Sequence, residues 1–297
     1  MRHHAWYYII LYLNNANELV PTCHPPQNSV SYTQVNKDCT VVVGSCDKYA
    51  DLLGPFITLF RKYWPSCPFE VVLVTESDPH VKGFDRTILT GVGKPWCRMM
   101  TAALEQIEST FVLLLMDDYL LESPVDTQRL LQRLEEAERF NAASLRLNPN
   151  PPGRKTVAGT GLLEMPKNVA YCVTCQTSLW RRDFLLRLVR QNKSAWEFER
   201  RGSFQIGDEP RPLLVTPTKE FPFVDAVHKG YWEKLGIEVC RANGIEINFA
   251  KRGLPPISVR IKEGLKALIF ALFPYTLIVR IQNFFDIGAK EKKKSQE

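Results

Sequence analysis

The chain has 297 residues, 45% hydrophobic and 24% charged, with a formal net charge of +6. A chain of this length can bury a sizeable core without disulfides or metals, and this composition excludes wholesale disorder and a polytopic membrane protein. Ten Lys/Arg and four acidic residues lie from 251 onward and carry the entire excess charge. The first 250 residues therefore balance to zero, which argues against a globally basic nucleic-acid binder and for a basic tail with a local role.

Residues 1–38 read as an irregular extension. An aromatic and aliphatic patch, Trp6–Leu13, too short to span a bilayer, precedes an Asn, Pro and Ser-rich segment without periodicity. The eight cysteines (23, 39, 46, 67, 97, 172, 175, 240) are scattered, with no cleavable signal peptide visible ahead of them, so reduced thiols are expected. Cys172 and Cys175 form a C-x-x-C that lacks a second pair at zinc-finger spacing and reads as part of a strand.

From Thr40 the pattern is regular. Thr40–Val43 predicts a β-branched strand running into the small-residue turn Gly44-Ser45-Cys46-Asp47. A helix is predicted over Leu52–Tyr63, a strand over Phe69–Val74 ending in Thr75-Glu76-Ser77, and a weaker strand over Arg86–Leu89. Gly91–Trp96 turns into a helix predicted over Cys97–Glu108, with Met100, Ala103, Leu104 and Ile107 on its buried face. Next comes Phe111–Leu121, F-V-L-L-L-M-D-D-Y-L-L. Six apolar residues in a row fit a strand covered on both faces, which delivers Asp117 and Asp118 to the edge of a sheet. The pair could cap a loop, or hold a divalent cation beyond the carboxyl end of the strand.

Ser123-Pro124-Val125-Asp126 predicts a helix start with a capping hydroxyl, and the helix runs to about Phe140. A strand over Ala142–Leu147 and a Pro/Gly-rich loop over Asn148–Gly161 follow, then a strand over Ala170–Thr177 and a helix over Leu179–Gln191. Ser194-Ala195-Trp196-Glu197 is a second capping signature, and a further helix is predicted near Glu233–Ala242. Alternation of strands and helices indicates an α/β fold with a largely parallel sheet. Ala267–Val279 is a thirteen-residue uncharged run interrupted by Pro274 and flanked by Lys and Arg. Too short to span, it suits either packing on the domain or lying along an anionic membrane surface as an amphipathic helical tail.

Taken together, S-C-D and T-E-S after the first strands, G-K-P-W-C-R before a helix, M-D-D-Y-L-L, S-L-W-R-R-D, S-A-W-E-F-E and H-K-G-Y-W resemble a nucleotide-sugar glycosyltransferase of the GT-A fold. The likeness is to bacterial transferases that build capsular or lipopolysaccharide glycans, and it covers roughly residues 40–250, leaving 1–38 as an extension and 251–297 as a tail. It implies a GT-A-like, Rossmann-like sheet flanked by helices. It also implies transfer of a sugar, of the hexosyltransferase type, from a nucleotide donor such as a UDP-sugar to a surface-glycan or lipid-linked acceptor. The work would be done in the cytoplasm at the inner face of a membrane.

Carried onto this sequence, the resemblance places Ser45, Asp47, Thr75 and Glu76 around the nucleoside, although each also suits a turn cap. Trp96 would stack on the donor and Arg98 would meet a phosphate. Asp117 and Asp118 match the fold's acidic motif, contracted here from Asp-any-Asp to Asp-Asp, with Asp118 toward Mg²⁺ or Mn²⁺. Glu199 is implied as the base of an inverting transfer, since Glu197 has a competing capping role. Trp196 would face an acceptor sugar, His228 would reach the metal and Lys229 the diphosphate. The alternatives are a catalytically silent scaffold of the same fold and, less favoured by the G-S-C-D-K-Y loop, a sugar nucleotidyltransferase.

Overall fold

A computed structural model of the protein describes residues 37–259 and 261. The aromatic patch Trp6–Leu13, the apolar run Ala267–Val279 and the lysine-rich end lie outside the described residues. The chain divides into two compact units, one of Ser29–Leu254 and one of the two terminal regions. Of the second, only 255–259 and 261 are described, among them the exposed Ile257 and Ile261.

In chain order the larger unit begins with β1 (Cys39–Gly44), a 3₁₀ turn (Asp47–Leu52), α1 (Leu53–Tyr63), β2 (Glu70–Thr75), β3 (Arg86–Leu89), α2 (Trp96–Leu104) and β4 (Phe111–Met116). It continues through β5 (Tyr119–Leu121), α3 (Thr127–Arg139), β6 (Ser144–Arg146), β7 (Lys155–Thr156) and β8 (Leu163–Glu164). Then come β9 (Ser178–Arg181), α4 (Arg182–Arg190), α5 (Ala195–Gly202), β10 (Leu213–Val215) and β11 (Phe223–Asp225). A two-residue hairpin of β12 (Val227–His228) and β13 (Tyr231–Trp232) and the helix α6 (Lys234–Ala242) complete it.

Nine strands form one sheet in the order β3-β2-β1-β4-β9-β6-β10-β8-β7. The pairings β1–β2, β1–β4, β2–β3 and β6–β10 are parallel, and only β9 and β8 run against the rest. The mixed, mostly parallel sheet expected of a GT-A-like fold is therefore present. Its central strands are apolar throughout because both faces are covered. Phe111, Leu113 and Leu115 of β4 enter one core with Val41, Val43 and the α1 residues Phe56 and Phe60. Val112 and Leu114 enter a second core with Val42, Met100 of α2 and Trp180.

Three local expectations are corrected. Helix α3 starts at Thr127 rather than behind Ser123. The Val125 amide is taken by the Tyr63 carbonyl and Trp64 Nε1 donates to Thr127 Oγ1, which ties 125–127 to the end of α1. The cap is the Asp126 carboxylate, which accepts from the Arg129 amide at 2.9 Å.

Residues 170–177 form no strand. Tyr171 has a φ of 61°, and the amides of Val173, Cys175 and Gln176 donate to the side chains of Ser203, Glu199 and Thr174 instead of to a neighbouring strand. The strand is Ser178–Arg181, wedged antiparallel between β4 and β6, so the helix predicted from Leu179 begins at Arg182. The helix predicted over Cys97–Glu108 spans Trp96–Leu104, although Ile107 beyond it is still buried.

Candidate active site

The order of the strands decides where a site can form. From β1 the chain moves to β2 and β3 on one side, and returns with β4 on the other, so β1 and β4 flank the switch point of the sheet. Ligands of open α/β sheets lie beyond the carboxyl ends of such strands. The parallel register pairs Gly44 with Met116, which brings the following residues, Ser45 and Asp117, side by side. Ser45 Oγ donates to Asp117 Oδ2 at 2.6 Å, and the Asp117 amide donates to the Gly44 carbonyl at 3.3 Å. Gly44 allows a close neighbour, since a Cβ there would sit 3.0 Å from Trp96 Nε1.

A buried Asp117 and a half-buried Asp118 lie side by side without a full set of countercharges. Asp117, 5% exposed, is held well above the usual carboxylate range by burial and then by Asp118; the Ser45 hydroxyl and Arg252 offset this only in part. Burial pushes Asp118 up to about 7. The Asp118 carbonyl accepts from the Ala226 amide at 2.8 Å, and β11 pairs with β5. That pairing carries the chain into the β12–β13 hairpin, so His228 is delivered to the same end of the sheet. Lys229 and Gly230, at φ 52° and 84°, make its turn, with Lys229 exposed.

The residues expected around a nucleoside are brought together, largely through bonds to one another. Asp47 accepts from the Ser77 amide and hydroxyl at 3.1 and 2.8 Å, and Glu76 accepts from the amides of Asp47 and Gly93 at 3.0 and 2.8 Å. Thr75 is buried, and its carbonyl takes the Thr90 amide and hydroxyl. The three stitch the loops after β1, β2 and β3 into one rim. Trp96 opens α2 and packs on Phe198 with ring centroids 5.6 Å apart, whereas Arg98 is exposed on the same helix.

Glu199 lies on α5, whose cap is Ser194 as the sequence pattern implies; the Ser194 hydroxyl accepts from the Glu197 amide at 3.2 Å. Glu197 reaches back over the helix start to accept from the Lys193 amide at 2.8 Å, one residue before the cap, and is also held by Arg201 at 2.5 Å. Glu199 instead points into the molecule and accepts from the Cys175 amide at 2.8 Å. Burial raises its pKa, against that hydrogen bond and the charge of Arg146. The Cys175 thiol is raised by burial and by the charges of Glu199, Cys97 and Asp118, so Glu199 and Asp118 both act electrostatically on one thiol. Trp196, on the same helix, is 46% exposed.

Sequence reasoning missed a group between the 3₁₀ turn and the chain near 252. Arg252 is buried, pairs with Asp51, and lies 4.4 Å from the ring centroid of Tyr49. By charge alone it counts with the basic tail, yet it belongs to the body of the larger unit. No local pattern links residues 201 positions apart.

Neither family models nor curated proteins gave a match to this chain. Among solved structures, TarS 1-349 of S. aureus is similar at a TM-score of 0.40 and 15% identity over 63% of this chain and 59% of that one. The mannosyltransferase PcManGT of Pyrobaculum calidifontis, in complex with GDP-Man and Mn²⁺, has a TM-score of 0.41 at 14% identity, covering 76% and 65%. A cytidylyltransferase of Leptospira borgpetersenii has 0.39 at 10% identity, covering 74% and 98%. The chain thus spans about three fifths of TarS 1-349, and likenesses this loose carry no functional argument.

Proposed function

We propose that the protein is a glycosyltransferase that moves a sugar from a nucleotide donor, of the UDP-sugar type, to a surface-glycan or lipid-linked acceptor with inversion. The observation that supports this most is the juxtaposition of Ser45 with Asp117 and Asp118 at the switch point between β1 and β4. In this reading the rim of Asp47, Thr75 and Glu76 shapes the nucleoside pocket, and the donor's diphosphate lies over the aspartate pair with Lys229 near it. Arg98 and Trp96 border the donor from α2, and Trp196 offers its exposed ring to the acceptor.

A divalent cation fits this donor set. Two adjacent carboxylates, both raised by burial and the first further raised by the second, are hard oxygen donors short of positive charge. Mg²⁺ is usually held by one or two carboxylates with phosphate and water oxygens completing its shell. Among the described residues no group of three or more His, Cys, Asp or Glu side chains could hold a metal alone, so Asp118, beside Asp117, would hold it jointly with the diphosphate, and His228 would have to reach it from the hairpin. Such an ion, Mg²⁺ or Mn²⁺, supplies charge neutralisation for the departing nucleoside diphosphate.

Glu199 then acts as base. The acceptor hydroxyl oxygen attacks the anomeric carbon, its proton passes to the Glu199 carboxylate, and the bond from that carbon to the phosphate oxygen breaks. Burial suits Glu199 to keep the proton once it has it, and the Cys175 amide fixes the carboxylate's direction. The acceptor's membrane location belongs to the same proposal. In this reading the contact is peripheral, through the basic tail; no helix among the described residues is long and apolar enough to cross a membrane.

The deciding experiment supplies purified protein with a panel of nucleotide sugars and candidate acceptor glycans, with and without Mn²⁺, and measures released nucleoside diphosphate. Release with one donor, dependent on acceptor, is expected. Silence across the panel with acceptor present sinks the enzyme reading, and pyrophosphate release from a nucleoside triphosphate plus a sugar phosphate replaces it with nucleotidyl transfer.

A further inference from the structure

Arg252 is 5% exposed, and its guanidinium is almost fully engaged by the protein itself. Nε and one terminal nitrogen donate to the two Asp51 oxygens at 3.2 and 3.1 Å; that nitrogen also reaches the Lys48 carbonyl at 3.4 Å, and the other reaches the Gly230 carbonyl at 3.2 Å. The plane covers the Tyr49 ring at 4.4 Å. A fork so occupied has little left to offer a ligand, so direct phosphate binding is not its role. What it joins is informative. Lys48, Tyr49 and Asp51 belong to the turn that follows Ser45, while Gly230 belongs to the hairpin that follows the Ala226–Asp118 bond. The first segment follows the residue bonded to Asp117, and the second follows the residue bonded to Asp118.

We infer that Arg252 is a positioning residue for the acid pair, clamping to one another the 48–51 turn, which follows the Ser45–Asp117 contact, and the 228–231 hairpin, which follows the Ala226–Asp118 bond. This rests on the transferase reading above. Lysine cannot reproduce the clamp, because a point charge on a flexible stem replaces a rigid fork that holds two oxygens of Asp51 and two carbonyls together.

The test compares wild type, Arg252→Lys, Arg252→Gln, Asp51→Asn and the Arg252→Gln/Asp51→Asn double variant. Each is assayed by steady-state transfer with the donor that wild type uses. Rates are normalised to sites able to bind nucleoside diphosphate, counted by calorimetry, so that loss of folded protein is not read as loss of rate. Arg252→Gln should lower kcat about 100-fold with the donor KM little changed, the scale of a misplacement near one ångström. Arg252→Lys, which keeps the charge but not the fork, should lower kcat by about 10-fold. Asp51→Asn should reproduce the loss, and the double variant should be no worse than the worse single one, as expected for one unit. Should Arg252→Gln not fold, the Lys and Asn variants carry the same comparison. Unchanged kcat, a loss confined to KM, or fully additive losses would overturn the positioning role. A wild type silent on every donor would instead overturn the transferase reading.

Discussion

Replacing Asp118 by Asn probes the electrostatics of the site through stability rather than turnover. In the fold Asp118 keeps its proton up to about pH 7 because of burial, whereas the unfolded chain releases it near the ordinary value of 3.8. A carboxyl with a raised folded pKa favours the folded state only while protonated. Its contribution is therefore intact below the unfolded pKa and is lost as pH climbs through the window up to about 7. Between about pH 5 and about pH 8.5 that loss comes to about 3 kcal/mol, at 1.36 kcal/mol per pKa unit. Asn keeps the shape of the side chain and has no proton to lose. It also relieves Asp117 of a repulsion second only to burial among the causes of its raised pKa. In urea unfolding at the two pH values, the stability of Asp118→Asn relative to wild type should rise by about 3 kcal/mol toward high pH. A difference that does not change with pH would show that the carboxylate is ionised and solvated throughout, and the reasoning about an under-compensated pair would be refuted.

Glu199→Gln keeps an oxygen for the Cys175 amide but cannot take a proton. Its kcat should fall by at least about 100-fold with the circular dichroism unchanged, and the acid limb of wild-type kcat should lie above the ordinary carboxylate range because burial raises Glu199. Arg133→Ala removes a fully buried cation that holds Glu220 at 2.7 Å and Glu136 at 2.6 Å, so chemical unfolding should show a loss of about 3–5 kcal/mol. Gly236→Ala would place a Cβ 2.5 Å from the Ala226 Cα and push α6 off the residue whose amide bonds to the Asp118 carbonyl. A cost of about 1–3 kcal/mol is expected by thermal or urea unfolding, and an unchanged melt would show that α6 can shift freely.

Much of this architecture is written in local patterns. The unbroken apolar runs of β1, β2 and β4 mark strands covered on both faces, because nothing in them could tolerate water on either side. The acids that end β4 are legible for the same reason, since a polar pair directly after such a run stands out. Ser194-Ala195-Trp196-Glu197 marks the start of α5 because capping is satisfied within four residues.

Other features depend on partners distant in sequence. The register of β1 against β4 turns Ser45 and Asp117 into a 2.6 Å contact across 72 positions. The Ser203, Glu199 and Thr174 side chains draw the amides of 173–176 away from a sheet that their apolar, β-branched sequence would otherwise join. Arg252 counts as tail by charge and is clamp by contact. Patterning records which faces a segment must hide from water, a property of near neighbours in sequence. Which carboxylates lose their water and which cation answers them follows from how distant segments pack, so the acids were visible in the chain while their shared burial, and the arginine beside them, came only with the tertiary structure.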